Sequence, residues 1–157
     1  MEGIKRLQQY INESNKIVFF GGAGVSTESG VPDFRSKDGL YNQHDIQFEQ
    51  YSPEYLLSHE CLVEHPEVVT QNIDGLHQKA GSKKVYELHG TTFRNYCARC
   101  RKEYAPDYIF ETEEAVPRCS CGGMVRPDVT LYSETLSDEA QYGAVNAIAE
   151  ADMLIIG

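Results

Sequence analysis

The chain has 157 residues, 41% of them hydrophobic, with ten Tyr, six Phe and a formal net charge of −10. That is long enough for one domain with a real core, too short for two large ones, and too apolar for a disordered chain. The acidic balance and the lack of a basic run exclude a surface that neutralises nucleic-acid phosphates, and no run of 18 apolar residues exists to span a membrane.

The start, Met1–Arg6, carries no apolar signal core, so the expected location is the cytoplasm. Five cysteines in a cytosolic chain point to metal binding or catalysis more than to disulfides. Any anionic ligand must be held by local backbone dipoles and one or two arginines.

Ile4, Leu7 and Ile11 recur at helical spacing, so an amphipathic helix is expected over residues 3–13. Ile17–Phe20 reads as a short buried strand, ended by the cluster Gly21-Gly22-Ala23-Gly24. In a parallel α/β sheet such a loop lets backbone N–H groups approach a pyrophosphate, with a helix N-terminus behind it. The spacing Gly22-x-Gly24-x-x-Thr27 is not the full dinucleotide fingerprint, and a glycine turn of any α/β protein is the plain alternative.

Ser29–Gln43, polar and punctuated by Pro32 and Gly39, is expected as a ligand-facing loop. Ser52-Pro53 opens a helix to about Ser58. Val68–Thr70 is the second strand, running into Gln71–His77, and Lys84–Leu88 is the third, ending at His89-Gly90. Residues 94–126, charged and poor in aliphatics, form a small inserted module, leaving 1–93 and 127–157 for the sheet domain. The α/β pattern resumes at Val129–Tyr132. A helix follows from Asp138 to about Ala149, with Ser137 as N-cap and Ala144, Val145 and Ile148 on its apolar face, and then a buried strand, Met153–Gly157. The expected fold is α/β: an incomplete, Rossmann-like parallel sheet with a zinc-binding insertion. Between about Ser58 and Val68 there is little room for the crossover that parallel strands need, and the last strand lacks a covering helix, so the chain reads as shortened.

Cys97-x-x-Cys100 and Cys119-x-Cys121 match a four-thiolate zinc site, against a redox pair or unrelated thiols. Four thiolates leave no open position, so such a metal is structural. Cys61 stands apart as a small buried hydrophobe, and His44, His59 and His65 as surface residues. His89 sits at a strand end on the carboxyl edge, where ligands bind and where histidine suits general-base work; the bland alternative is a structural histidine. His77 is placed similarly with weaker support. Asn72 and Asp74 end a second strand at the same edge, and Arg35 can pair with a phosphate through its planar fork.

Gly22-Ala-Gly-Val-Ser26 with Gly30-Val-Pro-Asp-Phe-Arg35, then Thr70-Gln-Asn-Ile-Asp-Gly-Leu-His77, Glu87-Leu-His-Gly90 and the four cysteines, in this order over nearly the whole chain, resemble the sirtuin family of NAD-dependent protein-lysine deacylases. Val125–Val129 and Leu131–Glu134 resemble the family segment that helps form the acyl-peptide groove, and Cys121-Gly-Gly is spelled as in bacterial members. The resemblance implies NAD as co-substrate, acyl-lysine proteins or peptides as partners, release of nicotinamide and O-acyl-ADP-ribose, and one structural zinc on Cys97, Cys100, Cys119 and Cys121. It implies that Gly22, Ala23, Gly24, Ser26 and Asp33 belong to the NAD site, with the glycine loop cradling the pyrophosphate and Phe34 and Arg35 closing over the ribose and nicotinamide. Gln71, Asn72, Ile73 and Asp74 would hold the ribose and the nicotinamide amide, with Asn72 also catalytic and His89 the base acting through the ribose hydroxyls. Three departures accompany it. Family members carry a helical module where His65-Pro66-Glu67 here joins Val68 directly, and they continue past the glycine at which this chain stops. Ser133 stands where glycine or an acidic residue is usual. Alternative readings are a catalytically impaired remnant that binds zinc and NAD weakly if at all, and transfer of ADP-ribose to protein.

Overall fold

The computed structural model describes residues 2–31, 33 and 67–157. The expected helix at Ser52–Ser58, together with Phe34, Arg35, Cys61, His44, His59 and His65, lies outside the described residues.

Four short strands build the main layer: β1 (Ile17–Gly21), β2 (Glu67–Thr70), β3 (Val85–Glu87) and β7 (Met153–Ile156). They pair in the order β3-β2-β1-β7, every pair parallel, as the expected α/β fold requires. The chain builds outward from β1 through β2 to β3, then returns to the other side of β1, so the loop leaving β1 sits at the point where strand order reverses. In open α/β sheets that point is where ligands bind. Val68 and Val69 are adjacent in β2 and both fully buried. Consecutive strand residues face opposite sides, so both faces of the sheet are shielded there.

Helix α1 (Glu2–Glu13) matches its expected span and half-buries Leu7 and Ile11 while Ile4 stays exposed. The expected helix behind the glycine loop is instead a 3₁₀ segment, Ala23–Ser29. Gly24, Val25 and Thr27 are poor α-helix formers, and Gly30 ends the segment in the left-handed region (φ 82°). Two four-residue helices, α2 (Leu76–Lys79) and α3 (Tyr108–Glu111), were not expected, because one turn carries no periodicity to read.

Helix α4 (Asp138–Glu150) begins at Ser137, whose hydroxyl accepts from Ala140 N at 3.5 Å. Its inward face corrects the expected one: Ala144, Ala147, Ile148 and Ala151 pack on Val18 and Val69, whereas Val145 is 62% exposed. The i, i+3, i+4, i+7 row leaves Val145 a quarter-turn to the side. Strand β7 is not the buried strand expected. It is the sheet's edge, with Ile156 74% exposed and Met153 and Ile155 only half-buried. Its entry is clamped to β1 by Asp152, whose carboxylate accepts from the N–H groups of Asn15 (2.8 Å) and Lys16 (2.9 Å).

The second sheet is antiparallel, β5 (Glu103–Tyr104), β4 (Gly90–Cys97) and β6 (Val125–Val129) in that order. The sheet starts before residue 94 and ends after residue 126, so β4 and β6 are the tethers joining the cysteine module to the parallel layer. Pro127 is tolerated because β6 is an edge strand. The α/β pattern does not resume as a strand at Val129–Tyr132: β6 ends at Val129 and Leu131–Glu134 is a turn. Among the described residues no helix is long and apolar enough to cross a membrane.

Candidate active site and metal centre

The metal centre is built from two tight turns. Arg101 N bonds Cys97 O (2.9 Å) to close the first, and Gly122 N bonds Cys119 O (2.8 Å) to close the second. Gly123 has no room for a side chain: a Cβ there would lie 2.6 Å from Cys97 Sγ and 2.7 Å from Arg99 Cβ. The four Sγ atoms lie within 4.8 Å of one another, with Cys97–Cys121 at 3.5 Å and Cys100–Cys119 at 3.6 Å. A tetrahedron with Zn–S of about 2.3 Å has edges of roughly 3.8 Å, so the donor set fits zinc without rearrangement. Backbone N–H groups aim at the sulfurs. Cys97 Sγ receives Cys100 N (3.5 Å) and Arg99 N (3.4 Å), and Cys119 Sγ receives Cys121 N (3.5 Å). These donors favour the thiolate, the form that binds metal. The Cys100 N–H lowers the Cys97 pKa, and the Cys121 N–H with the Tyr104 hydroxyl brings Cys119 to about 5.

The candidate active site lies at the carboxyl edge of the parallel sheet. Gln71 N bonds Gly21 O (3.1 Å) and Leu88 N bonds Thr70 O (2.9 Å), so strand-like pairing carries on past β1, β2 and β3 into the loops. Thr70, fully buried at the end of β2, accepts Asn72 N on its Oγ1 at 3.0 Å and turns the chain back toward the glycine loop. Asn72 and Ser26, 9% and 4% exposed, then form one directed network. Asn72 Nδ2 donates to Ser26 Oγ (2.8 Å), and Ser26 Oγ donates to Asp74 Oδ2 (2.7 Å). Asp74 Oδ1 accepts Leu76 N (3.0 Å), which starts α2. With its Nδ2 engaged, Asn72 keeps Oδ1 as an acceptor in a fixed orientation.

The glycine loop presents bare backbone beside this network. Among the described residues, a Cβ on Gly24 would meet nothing within 4 Å, and one on Gly22 only Gln71 Oε1 at 3.8 Å. That open space against main-chain groups suits the pyrophosphate of a dinucleotide. Gln71 is exposed, Asp33 half-buried, and the carbonyl of Ile73 is engaged by Thr92 N (3.1 Å) and Thr92 Oγ1 (3.0 Å).

His89 is half-buried where β3 hands over to β4, and its carbonyl accepts Thr130 N at 2.9 Å. Gly90 beside it has φ 76°, and a Cβ there would lie 2.0 Å from Asp128 O, so only glycine permits this close crossing. His89 is thus fixed between the parallel sheet and the ribbon. His77 is separated from this arrangement. It lies on α2 with its ring 6.1 Å from Phe19, Nε2 is buried with no hydrogen-bond partner among the described residues, and burial, opposed by Asp74, lowers its pKa. Burial likewise raises the pKa of Glu87, whose Oε1 is buried with no partner among the described residues.

Sequence reasoning named Ser26, Asn72 and Asp74 separately and missed Thr70 and Thr92, which lock the two loops. A hydroxyl residue at a strand end is the one available signal, and it is common in any sheet. A polar cleft of about 660 Å³ lies elsewhere, walled by β3, the ribbon and the start of α4, with Arg94 and Asp128 of its wall paired at 3.0 Å. Neither the glycine loop nor His89 lines it.

A family model described as the Sir2 family matches residues 22–69 and 66–157. The NAD-dependent protein deacetylase of Cutibacterium acnes is 46% identical over 189 aligned positions, covering 98% of this chain and 76% of that protein. The enzyme of the same name from Clostridium perfringens is 46% identical over 191 positions, covering 98% and 77%. Both alignments are longer than this 157-residue chain, so part of each relative has no counterpart here, and the two family-model matches meet at residues 66–69. Among solved structures, a Sir2 with a p53 peptide and NAD+ superposes with a TM-score of 0.77 at 36% identity, covering 98% of this chain and 74% of that one. A Sir2 with 2′-O-acetyl-ADP-ribose and a deacetylated p53 peptide gives 0.75 at 33% identity, covering 97% and 74%.

Proposed function

The chain belongs to the Sir2 family, and from that premise we propose that it is an NAD-dependent protein-lysine deacetylase of the cytoplasm, acting on acyl-lysine proteins or peptides. The observation that carries this reading is the Asn72–Ser26–Asp74 network, fixed at the carboxyl edge beside an open glycine loop with His89 on the next strand end. Bound NAD supplies a ribose carbon from which nicotinamide can leave, together with ribose hydroxyls.

The chain supplies the rest. The backbone of Gly22, Ala23 and Gly24 would hold the pyrophosphate, with Ser26 and Asp33 contributing to the same site and Phe34 and Arg35 serving the ribose and nicotinamide. Asn72 and Asp74, linked through Ser26 and with Asn72 N held by Thr70, would orient the ribose and the amide together with Gln71 and Ile73. His89 takes a proton as general base, held by the bond from Thr130 to its carbonyl. The zinc, closed off by four thiolates, folds the module and takes no part in the chemistry.

A second reading, a member that keeps both sites and turns over poorly, draws on the two-part family match at residues 66–69. Steady-state kinetics on an acetyl-lysine peptide distinguish the two. With His89→Ala, NAD affinity is expected to hold while kcat falls about 10²–10⁴-fold, the contribution of a general base. Equal kcat in the variant contradicts the assignment of His89, and no measurable kcat in the folded parent chain favours the second reading.

A further inference from the structure

Beyond the residues given roles so far, one ion pair stands out by what it holds. Arg126 on β6 forks onto Glu134, Nη1 to Oε1 at 2.5 Å and Nη2 to Oε2 at 2.9 Å. The same guanidinium donates from Nη2 to Val129 O at 2.6 Å, and Glu134 Oε2 also accepts Leu131 N at 2.9 Å. Both ends of the turn Val129–Glu134 are therefore tied to one planar group, 18% exposed. The turn needs such a hold, because Ser133 sits in the left-handed region at φ 71°, a conformation unfavourable for a residue with a side chain. Its tip carries two large side chains outward, Leu131 at 55% and Tyr132 at 94% exposure. Between latch and tip, Thr130 N donates to His89 O.

We propose that Arg126 and Glu134 are a positioning pair for the deacylation reaction: they hold the Leu131–Tyr132 tip where the acyl-lysine segment meets it and fix the backbone on which His89 is mounted. The substrate half of this rests on the deacetylase reading above; the backbone half does not. Neither side chain touches the reacting atoms. The fork is specific to arginine, since a lysine ammonium cannot serve both carboxylate oxygens and Val129 O in one plane.

The test compares the zinc-loaded parent chain with Glu134→Gln, Arg126→Lys and the double variant Arg126→Lys/Glu134→Gln. It reads amide hydrogen exchange residue by residue and the dissociation constant for an acetyl-lysine peptide by calorimetry. Both single variants are expected to speed exchange at Leu131 and Thr130 about tenfold, the loss of one charge-assisted hydrogen bond. They are also expected to weaken peptide binding several-fold, with zinc stoichiometry and protection of Val18 and Val69 unchanged. The double variant is expected to add little to either single variant, because both changes break the same fork. Unchanged exchange at Leu131 and Thr130 overturns the proposal, as does faster exchange with unchanged peptide affinity, which reduces the pair to a local brace. A parent chain that binds no peptide removes the deacetylase reading and the substrate half with it, while exchange at Thr130 still decides the backbone half.

Discussion

His77 and His89 look alike in sequence, each close behind a strand on the same edge, and the fold gives them opposite environments. His89 sits where two sheets meet, with its carbonyl engaged by Thr130; His77 turns onto Phe19 with Nε2 buried and unpartnered among the described residues. Burial holds the His77 pKa below its ordinary 6.5, so the folded chain favours the neutral ring. Protons then bind the unfolded chain first. The stability this group contributes is complete above the ordinary value and is lost as pH falls from there through the lower folded value. The resistance of the parent chain to urea is expected to fall as pH drops from 7 through 6.5 and below, and His77→Phe, apolar beside Phe19, is expected to flatten that slope. A slope unchanged in the variant assigns the effect to other groups. Where His89 and Asn72 sit was legible here because each follows a strand of clear hydrophobic pattern. How they are held was not, because the Asn72–Ser26–Asp74 chain joins residues 46 and 48 positions apart.

Elements with a strong period were read correctly, and those governed by tertiary contacts were not. Helix α1 and strands β1, β2 and β3 sit where their apolar spacing places them, within a residue or so at each end. The inward face of α4 was misread because Val145 outweighs Ala147 in hydrophobicity, whereas the sheet admits only small residues at that approach: Ala144 and Ala147 are its buried residues. The cysteine module depends on its metal more than on its core. Its buried apolar residues are Cys97, Cys119 and Val125, supported by Tyr104, Tyr108 and Ile109, so two of the three buried positions are thiol ligands. Chelation at neutral pH is therefore expected to release one zinc per chain and abolish amide protection along β4 and β6. The near-ultraviolet dichroism of Tyr104 and Tyr108, whose rings lie 4.4 Å apart, should collapse with it. Protection at Val18 and Val69, which pack against α4 in a separate core, is expected to remain. A module that keeps its protection without metal contradicts the structural assignment of the four thiols.

At the scale of the molecule, two sheets converge on one edge. The reversal of strand order puts the glycine loop beside β2, and the Gly90 crossing brings the zinc-bearing ribbon against the end of β3. The site thus takes its backbone cradle from one layer and the mounting of His89 from both. Order of motifs along the chain was enough to expect this arrangement, since each motif ends a strand of the same parallel sheet. The ribbon's reach from Gly90 to Val129 was hidden, because Arg94, Arg126 and Pro127 do not read as strand residues until β4 and β6 pair.

Deacylation at these converging loops is measured directly by mass spectrometry of the zinc-loaded chain incubated with NAD and an acetyl-lysine peptide. O-acetyl-ADP-ribose is expected only when both substrates are present, and is expected to disappear with His89→Ala. A folded, zinc-loaded chain that yields none of it contradicts the deacetylase reading.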